Sequence, residues 1–352
     1  MMDTAITIAL PPMQPGTVVP MHVPVINQTV DYFFPAFLGS SVDASHDGGM
    51  SKRTDCAPWM HWACARFALA SFASQITADD LVSPRPEVQS SGIVATQLLD
   101  LPDKLKARLD RSLLEEVRRA IGLHRHSLRD GFSWVGGPTP KDAWLVPPPT
   151  SAITPLLDDL FEFLNTDSID PSVRIALGAY QMIHVHPYVS GNGRTTRTWV
   201  WASGIAAKAT DVTAPTALLL SLRKSQIGDA MKALRQGRSQ PLQQLLERSA
   251  SAWLATSRVV EDAVQALLVA PLQQSPLGRR AEQLARLHLL AGRLGLAQLT
   301  KVTGQNEQLA NKYLRTIVSM KGWHSGTDGA GSLPELDAEV TQAVRRWTAA
   351  ME

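Results

Sequence analysis

Cysteine is scarce in this 352-residue sequence, which contains only Cys56 and Cys64. On one helix the two would lie about 12 Å apart, beyond the reach of a disulfide. His61 lies three residues before Cys64, but two thiols and one imidazole leave a tetrahedral zinc site one ligand short. We therefore expect a reduced, cytoplasmic protein.

Long apolar runs and a cationic leader are also missing. No run reaches the roughly 18 residues that a transmembrane helix needs, and no positive charge precedes the apolar stretch at 6–10, so neither a membrane span nor a secretory signal is expected. Residues 1–51 contain four aspartates but no lysine or arginine, although the whole chain carries a formal net charge of +2. Hydrophobic residues make up 44% of the chain, enough for a sizeable core, and the length suits two domains.

Helical periodicity is present in most of the chain after residue 57, which predicts a mainly α fold. We expect an unstructured or extended arm over 1–52, a helical domain over 53–270, a linker at 270–278 and a smaller domain over 271–352. Glycines and three successive prolines in 131–150 favour a hairpin or an irregular loop there. The predicted helices are 58–74, 98–126, 151–165, 171–184, 195–208, 214–232 and 240–269.

The stretch 186–197, HPYVSGNGRTTR, combines several groups that suit phosphate chemistry. The two glycines around Asn192 allow backbone N–H groups to converge on an anion, and a following helix adds the positive end of its dipole. Arg194 and Arg197 would share one helix face and bind phosphate oxygens in bidentate fashion. His186 suits a general base near neutral pH. The alternative is a glycine turn that caps a helix beside a buried histidine.

This stretch resembles the core motif of the Fic family, HPFx[D/E]GNGRxxR. Tyr188 is a close substitute for phenylalanine, and Ser190 replaces the acidic residue. The resemblance extends over about 85–240 and implies a Fic-fold helical core with a short β-hairpin flap, within the 53–270 domain. The matching motif residues are His186, Pro187, Gly191, Asn192, Gly193, Arg194 and Arg197, and the flap-like residues are Trp134, Val135, Gly136, Leu145 and Val146.

The resemblance implies transfer of AMP from ATP to a Ser, Thr or Tyr hydroxyl of a protein. It makes His186 the base, the 191–194 loop and Arg197 the phosphate-binding residues, and the flap the target-binding strand. Mg²⁺ or Mn²⁺ is the implied cofactor, for which Ser190 is a weak ligand because a hydroxyl supplies no charge. Two alternatives stay open: a weakened or inactive Fic-like nucleotide-binding core attached to a DNA-binding transcriptional regulator, and transfer of a different nucleotide or phosphate group.

Residues 90–97, SSGIVATQ, resemble the family's inhibitory segment SSxIEGTQ. Val94 stands where that segment has the glutamate that pairs with the second arginine of the motif. The resemblance implies that this brake is missing, and a Ser-rich loop entering a helix is the alternative interpretation. A separate inhibitory protein and a homodimer both stay open.

Residues 277–321 contain eight basic and two acidic residues. The pattern there predicts a helix, a turn at Gly304 and a second helix, and a Gly-rich stretch at 325–332 follows. This order resembles a winged helix-turn-helix module, although Gln305 stands where such turns usually bury an apolar residue. In that geometry the side chains facing a DNA groove would be those of Gln308, Asn311, Lys312 and Arg315. The alternative is a helical bundle whose basic face is solvated.

Overall fold

The structure is a computed structural model of the whole chain. It describes residues 5–10, 19–24, 58–69, 96–105, 109–123, 127–135, 138–140, 143, 145–165, 171–235, 238 and 240–352.

Helices dominate the described residues, which confirms the predicted mainly α class. The elements before the C-terminal module are β1 (Ala5–Leu10), β2 (Val19–Pro24), α1 (Pro58–Leu69), α2 (Leu101–Lys104), α3 (Arg111–Ala120), α4 (Thr150–Leu164), α5 (Pro171–Val185), α6 (Asn192–Ala206), α7 (Thr210–Leu222), α8 (Lys224–Arg235) and α9 (Gln240–Val264). The elements after α9 are α10 (Ala270–Gln274), α11 (Ala281–Ala291), α12 (Leu296–Val302), α13 (Glu307–Val318), β3 (His324–Ser325), β4 (Gly331–Ser332) and α14 (Pro334–Ala350).

Helix α6 lies at the centre of the core, where it contacts α1, α2, α3, α5 and α7. Trp199 and Trp201 on this helix are fully buried. Gly204 allows α7 to approach closely, because a Cβ there would overlap the hydroxyl of Thr213. The first turn of α6 follows directly on the 186–191 loop, so the packing of this one helix fixes the position of the motif.

Two predicted helical stretches are each divided in the structure. In 98–126, α2 ends at Lys104 and α3 begins at Arg111. Asp110 caps the N-terminus of α3, because its side chain accepts a hydrogen bond from the amide of Leu113 (2.9 Å). In 214–232, α7 and α8 are separated at Arg223. Apolar periodicity continued through both breaks because the helices on either side bury faces in the same core.

The N-terminal arm contains two strands that the sequence pattern did not predict. β1 pairs antiparallel with β2, with Ala5 opposite Pro24 and Leu10 opposite Val19. β2 also lies against α4. Each of the two segments shows only weak alternation of apolar and polar residues. Because a strand is stabilised by pairing with its neighbour, neither segment was recognisable as a strand by itself.

The segment 270–278, predicted to be a linker, is part of the helical core. α9 continues through a π-helical turn, Gln265–Val269, into α10. Leu272 and Leu277 are buried. Pro271 has no N–H to donate, but it lies directly after the π-helical turn, an irregularity of the kind at which helices accommodate a change in their hydrogen bonding, so it does not end the helical path.

The C-terminal module packs directly on the rest of the chain. α14 lies against α9, and α11 lies against α1. β3 and β4 pair antiparallel, and Leu294 forms a further bridge with Gly331. Buried apolar residues from Met60 to Met351 belong to one hydrophobic cluster. Among the helices that the structure describes, none has the length and apolar character to cross a membrane.

Arg66 joins the C-terminal helices to α1. Its Nη1 lies 2.8 Å from Oδ1 of Asp337, and the two side chains are only 10% and 12% exposed. Its Nε and Nη2 donate to the carbonyls of Leu289 (2.6 Å) and His288 (3.1 Å). These carbonyls lie at the C-terminus of α11, where a cation stabilises the helix dipole.

Candidate active site

His186 leaves the end of α5 with an imidazole suited to accept a proton. Its backbone φ is 46°, and its Nδ1 lies 3.3 Å from the carbonyl of Ile183. A carbonyl only accepts, so Nδ1 carries the proton and Nε2 keeps its lone pair. Burial, together with the charge of Arg129, lowers the pKa of His186 to about 4, although the bond to Ile183 opposes this shift. The ring is therefore neutral at pH 7.

The loop between His186 and α6 is held in shape by its own residues. The Asn192 side chain accepts from the amide of Tyr188 (2.9 Å) and donates to its carbonyl (2.7 Å). Gly191 has φ of 78°, and a Cβ there would overlap Cδ1 of Leu123. Asn192 thus supports the loop through its side chain. The backbone N–H groups of the first helical turn, including that of Gly193, have no intrahelical partner and suit an anion.

The two motif arginines occupy different environments. Arg194 is partly exposed, whereas Arg197 is 1% exposed. Burial lowers the pKa of both, and the charge of Arg194 lowers that of Arg197 further. Two guanidinium groups close enough to repel each other favour a bound anion between or beside them. Of the pair, Arg194 is the one with access to solvent.

Arg118, on α3, is a site residue that the sequence analysis missed. Its Nη1 donates to the carbonyl of Ser190 (3.2 Å) and to Oγ1 of Thr195 (3.1 Å). Its guanidinium carbon lies 3.6 Å from the ring centroid of Tyr188. Arg118 precedes Ser190 by 72 residues, and nothing local distinguishes it from a solvated arginine of an amphipathic helix.

Among the described residues of the predicted hairpin, Val135 and Leu145 form an antiparallel pair. The amide of Val135 donates to the carbonyl of Leu145 (2.8 Å), and the reverse bond is 3.4 Å. Leu145 is buried, so it anchors the hairpin, whereas the Trp134 ring is exposed. Of the other predicted flap residues, Val146 is half-buried and Gly136 lies outside the described residues.

The donor set of the loop does not fit magnesium well. Ser190 is exposed, and residues 186–197 contain no carboxylate. Within the described part of the chain, no group of three or more His, Cys, Asp or Glu side chains is placed to hold a metal ion. Mg²⁺ prefers carboxylate oxygens, so we derive no step through a metal here. Val94 and the rest of 90–95 lie outside the described residues.

His61 and Cys64 are core residues in the structure. The Nε2 of His61 lies 2.8 Å from the carbonyl of Trp201, and the two rings are stacked. Burial lowers the pKa of His61 to about 4 and raises the pKa of the free Cys64 thiol. Cys56 lies outside the described residues.

Comparison with known proteins finds a family match in the part of the chain that contains this site. Residues 104–202 match the family model described as Fic/DOC family. Proteins named protein adenylyltransferase Fic from Drosophila virilis and Drosophila grimshawi are 33% and 32% identical over 104 residues, and the one from Drosophila willistoni is 31% identical over 94. These matches cover 25–28% of this chain and only 18–20% of the relatives. The chain therefore contains a Fic/DOC family domain at residues 104–202.

Proposed function

We propose that this protein transfers AMP from ATP to a Ser, Thr or Tyr hydroxyl of another protein. The hydroxyl oxygen attacks the α-phosphorus, the bond to the pyrophosphate oxygen breaks, and the hydroxyl proton passes to Nε2 of His186. The observation that carries this proposal is the position of the His186 imidazole at the start of the loop that leads into α6, where its Nδ1 lies 3.3 Å from the carbonyl of Ile183 and its Nε2 is left to accept a proton. A positioned base of this kind contributes about 10²- to 10⁴-fold to a reaction rate.

The same loop suits the polyphosphate of the nucleotide. The backbone N–H groups of Gly191, Asn192 and Gly193 would bind phosphate oxygens, and Arg194 would bind the β/γ end. Arg197, buried in the same helix, would add positive charge or contact the γ-phosphate if it becomes accessible. Arg118 stabilises the loop by donating a hydrogen bond to the carbonyl of Ser190.

The hairpin supports the proposed recognition of a polypeptide. The backbone beside the bridge at Val135 would pair with an extended segment of the target. The exposed rings of Phe132 and Trp134 lie 6.2 Å apart between centroids. Their apolar surface would pack against side chains that flank the target hydroxyl.

A labelling experiment tests the proposed reaction. We expect protein acceptors in a lysate to gain label from ATP labelled in the α-phosphate and none from ATP labelled in the γ-phosphate. Label from the γ-phosphate would instead indicate phosphoryl transfer. No label from either nucleotide, with folded protein and both Mg²⁺ and Mn²⁺ supplied, would contradict the proposal.

Ser190 is expected to limit this activity. Replacing it by aspartate would place a carboxylate where the family motif has one, so Ser190→Asp should raise Mg²⁺-dependent labelling by roughly tenfold or more. Ser190→Asn is the matched control, because it has the same shape without the charge. Equal labelling by the Asp and Asn variants would show that the missing charge does not limit the reaction.

A second candidate function is DNA binding by the C-terminal module, residues 271–352. The face of α13 that the sequence predicted as a DNA-binding face is accessible: Gln308, Lys312 and Arg315 are exposed, and Asn311 is half-buried. Lys301 and Lys321, which lie on either side of α13 in the sequence, are also exposed. The winged-helix assignment is part of this proposal.

Not every basic residue of 277–321 is available to phosphate. Arg286 pairs with Glu282 (3.3 Å), and Arg293 pairs with Asp328 (2.7 Å). Arg280 donates to the carbonyl of Val302 (2.8 Å). Arg279 is also exposed, so the candidate surface consists of α13, its flanking lysines and Arg279.

We expect salt-dependent DNA binding by the whole 352-residue chain, weakened in the double variant Lys312→Gln, Arg315→Gln. Each lost phosphate contact should reduce the magnitude of the negative slope of log K for DNA binding against log salt concentration by about one. The matched control is Arg345→Gln, Arg346→Gln on α14, which changes the net charge equally. The full chain is required because α11 and α14 pack on α1 and α9. Equal weakening by both pairs, or no binding at low salt, would contradict a DNA site on α13.

A further inference from the structure

Arg129 is buried between the hairpin and the loop that carries His186. It is 4% exposed. Its Nε donates to the carbonyl of His186 (2.9 Å), and its Nη2 donates to the carbonyl of Val185 (3.4 Å). Both carbonyls lie at the C-terminus of α5, where a cation is favoured by the helix dipole. Arg129 therefore caps the helix from which His186 leaves.

The same guanidinium holds both ends of the hairpin. Its Nη1 donates to the carbonyl of Gly131 (3.2 Å), and its Nη2 donates to that of Pro148. These residues flank the pair between Val135 and Leu145. One planar group thus connects the hairpin to the peptide unit of the proposed base.

The backbone of this segment strengthens the connection. The amide of Arg129 donates to the carbonyl of Pro187 (2.8 Å), and Leu128 bridges Tyr188 in antiparallel pairing. A lysine could keep the charge, but its single ammonium cannot reproduce the fork that reaches four carbonyls. The geometry therefore depends on the guanidinium shape as well as on the charge.

We infer that Arg129 is a positioning residue that sets the distance between His186 and a hydroxyl held by the hairpin. The inference rests on the proposed transfer reaction for its kinetic consequence. A displacement of about 1 Å between reacting groups can cost up to a hundredfold in rate. Arg129 makes none of its hydrogen bonds to the 191–194 phosphate loop, so nucleotide binding should be spared.

The test compares Arg129→Lys and Arg129→Ala with the control Arg111→Ala, an exposed arginine on α3. We expect both Arg129 variants to lower kcat for AMP transfer by about ten- to a hundredfold, with KM for ATP changed less than twofold. Millimolar guanidinium should restore part of the Arg129→Ala activity, whereas ammonium should not. The Arg111→Ala variant should match the wild type with or without guanidinium.

Hydrogen–deuterium exchange separates this inference from the proposed function. In Arg129→Lys, we expect amide exchange to accelerate together in 131–135 and 185–190, and to stay unchanged at the start of α6. This readout remains decisive if the wild-type protein transfers no AMP. Faster exchange in only one of the two segments, unchanged kcat in an active protein, or a KM effect alone would overturn the positioning role.

Discussion

The variant His186→Asn is expected to lose at least 99% of the proposed AMP-transfer activity. Asparagine tolerates the left-handed backbone better than most residues, so the φ of 46° at position 186 can be kept while the base is removed. Loss of a positioned general base costs about 10²- to 10⁴-fold. The measurement is the initial rate of α-phosphate label transfer to a protein acceptor.

Nucleotide binding separates a chemical defect from a folding defect in this variant. ATP affinity of His186→Asn, measured by calorimetry, should stay within about threefold of the wild type, because the N–H groups and Arg194 of the loop are untouched. His324→Ala is a suitable control, since this histidine is exposed in β3. Equal activity of His186→Asn and wild type would show that another group removes the proton.

The pH profile offers a second view of the same residue. The pKa of His186 is lowered from 6.5 to about 4, chiefly by burial. Because the neutral form is the base, the lowered pKa extends activity toward acid. We expect kcat/KM to be level from about pH 6 to pH 8 and to fall only as pH approaches about 4. A half-maximal point near 6.5 would instead indicate an imidazole in contact with water.

The variant Arg66→Ala is expected to reduce the free energy of unfolding by about 3 kcal/mol. Removing one partner of a buried ion pair leaves the other charge uncompensated, which typically costs 3–5 kcal/mol. Because the side chains of Arg66 and Asp337 are slightly exposed, we expect a cost at the lower end of this range. The variant also loses the bonds to the last carbonyls of α11. Denaturation by urea, followed by circular dichroism, measures the change.

Two further variants make this stability prediction specific. Lys104→Ala breaks the exposed pair with Glu116 and should cost less than about 1 kcal/mol. Adding Asp337→Asn to Arg66→Ala should recover part of the loss, because it removes the stranded charge. A cost for Arg66→Ala no larger than that for Lys104→Ala would contradict the proposed tie. The tie would also be contradicted if the unfolding free-energy costs of Arg66→Ala and Asp337→Asn simply added in the double variant.

The unfolding transition itself bears on the domain organisation. One hydrophobic cluster extends from Met60 to Met351, and Arg66 bonds two C-terminal helices from α1. We therefore expect one cooperative transition rather than separate unfolding of 271–352. The sequence suggested the opposite through the Pro- and Gln-containing segment 270–278. Composition alone does not reveal that Pro271 follows a π-helical turn within a continuous helical path.

The helical class and the chemical motif were both readable from the sequence because each depends on neighbouring residues. Apolar periodicity marks the buried faces of α4 and α5 within one or two residues of their ends. His186, Gly191 and Arg194 lie within nine residues, so one turn and one helix start bring them together. Gly191 adopts a positive φ in the turn before α6, a conformation that glycine takes without steric cost, so the pattern of glycines predicts the turn.

Local sequence alone determined the mainly α class of this protein and pointed to the proposed phosphate loop and candidate base. Only the tertiary structure decided which buried arginines hold residues 185–190, which lead into that loop. Arg118 and Arg129 reach this segment from 72 and 57 residues away, and no local pattern distinguishes them from solvated arginines. The same holds for Arg66, whose partner Asp337 is 271 residues distant. Such pairs form because a buried guanidinium must find oxygen acceptors wherever the folded chain supplies them.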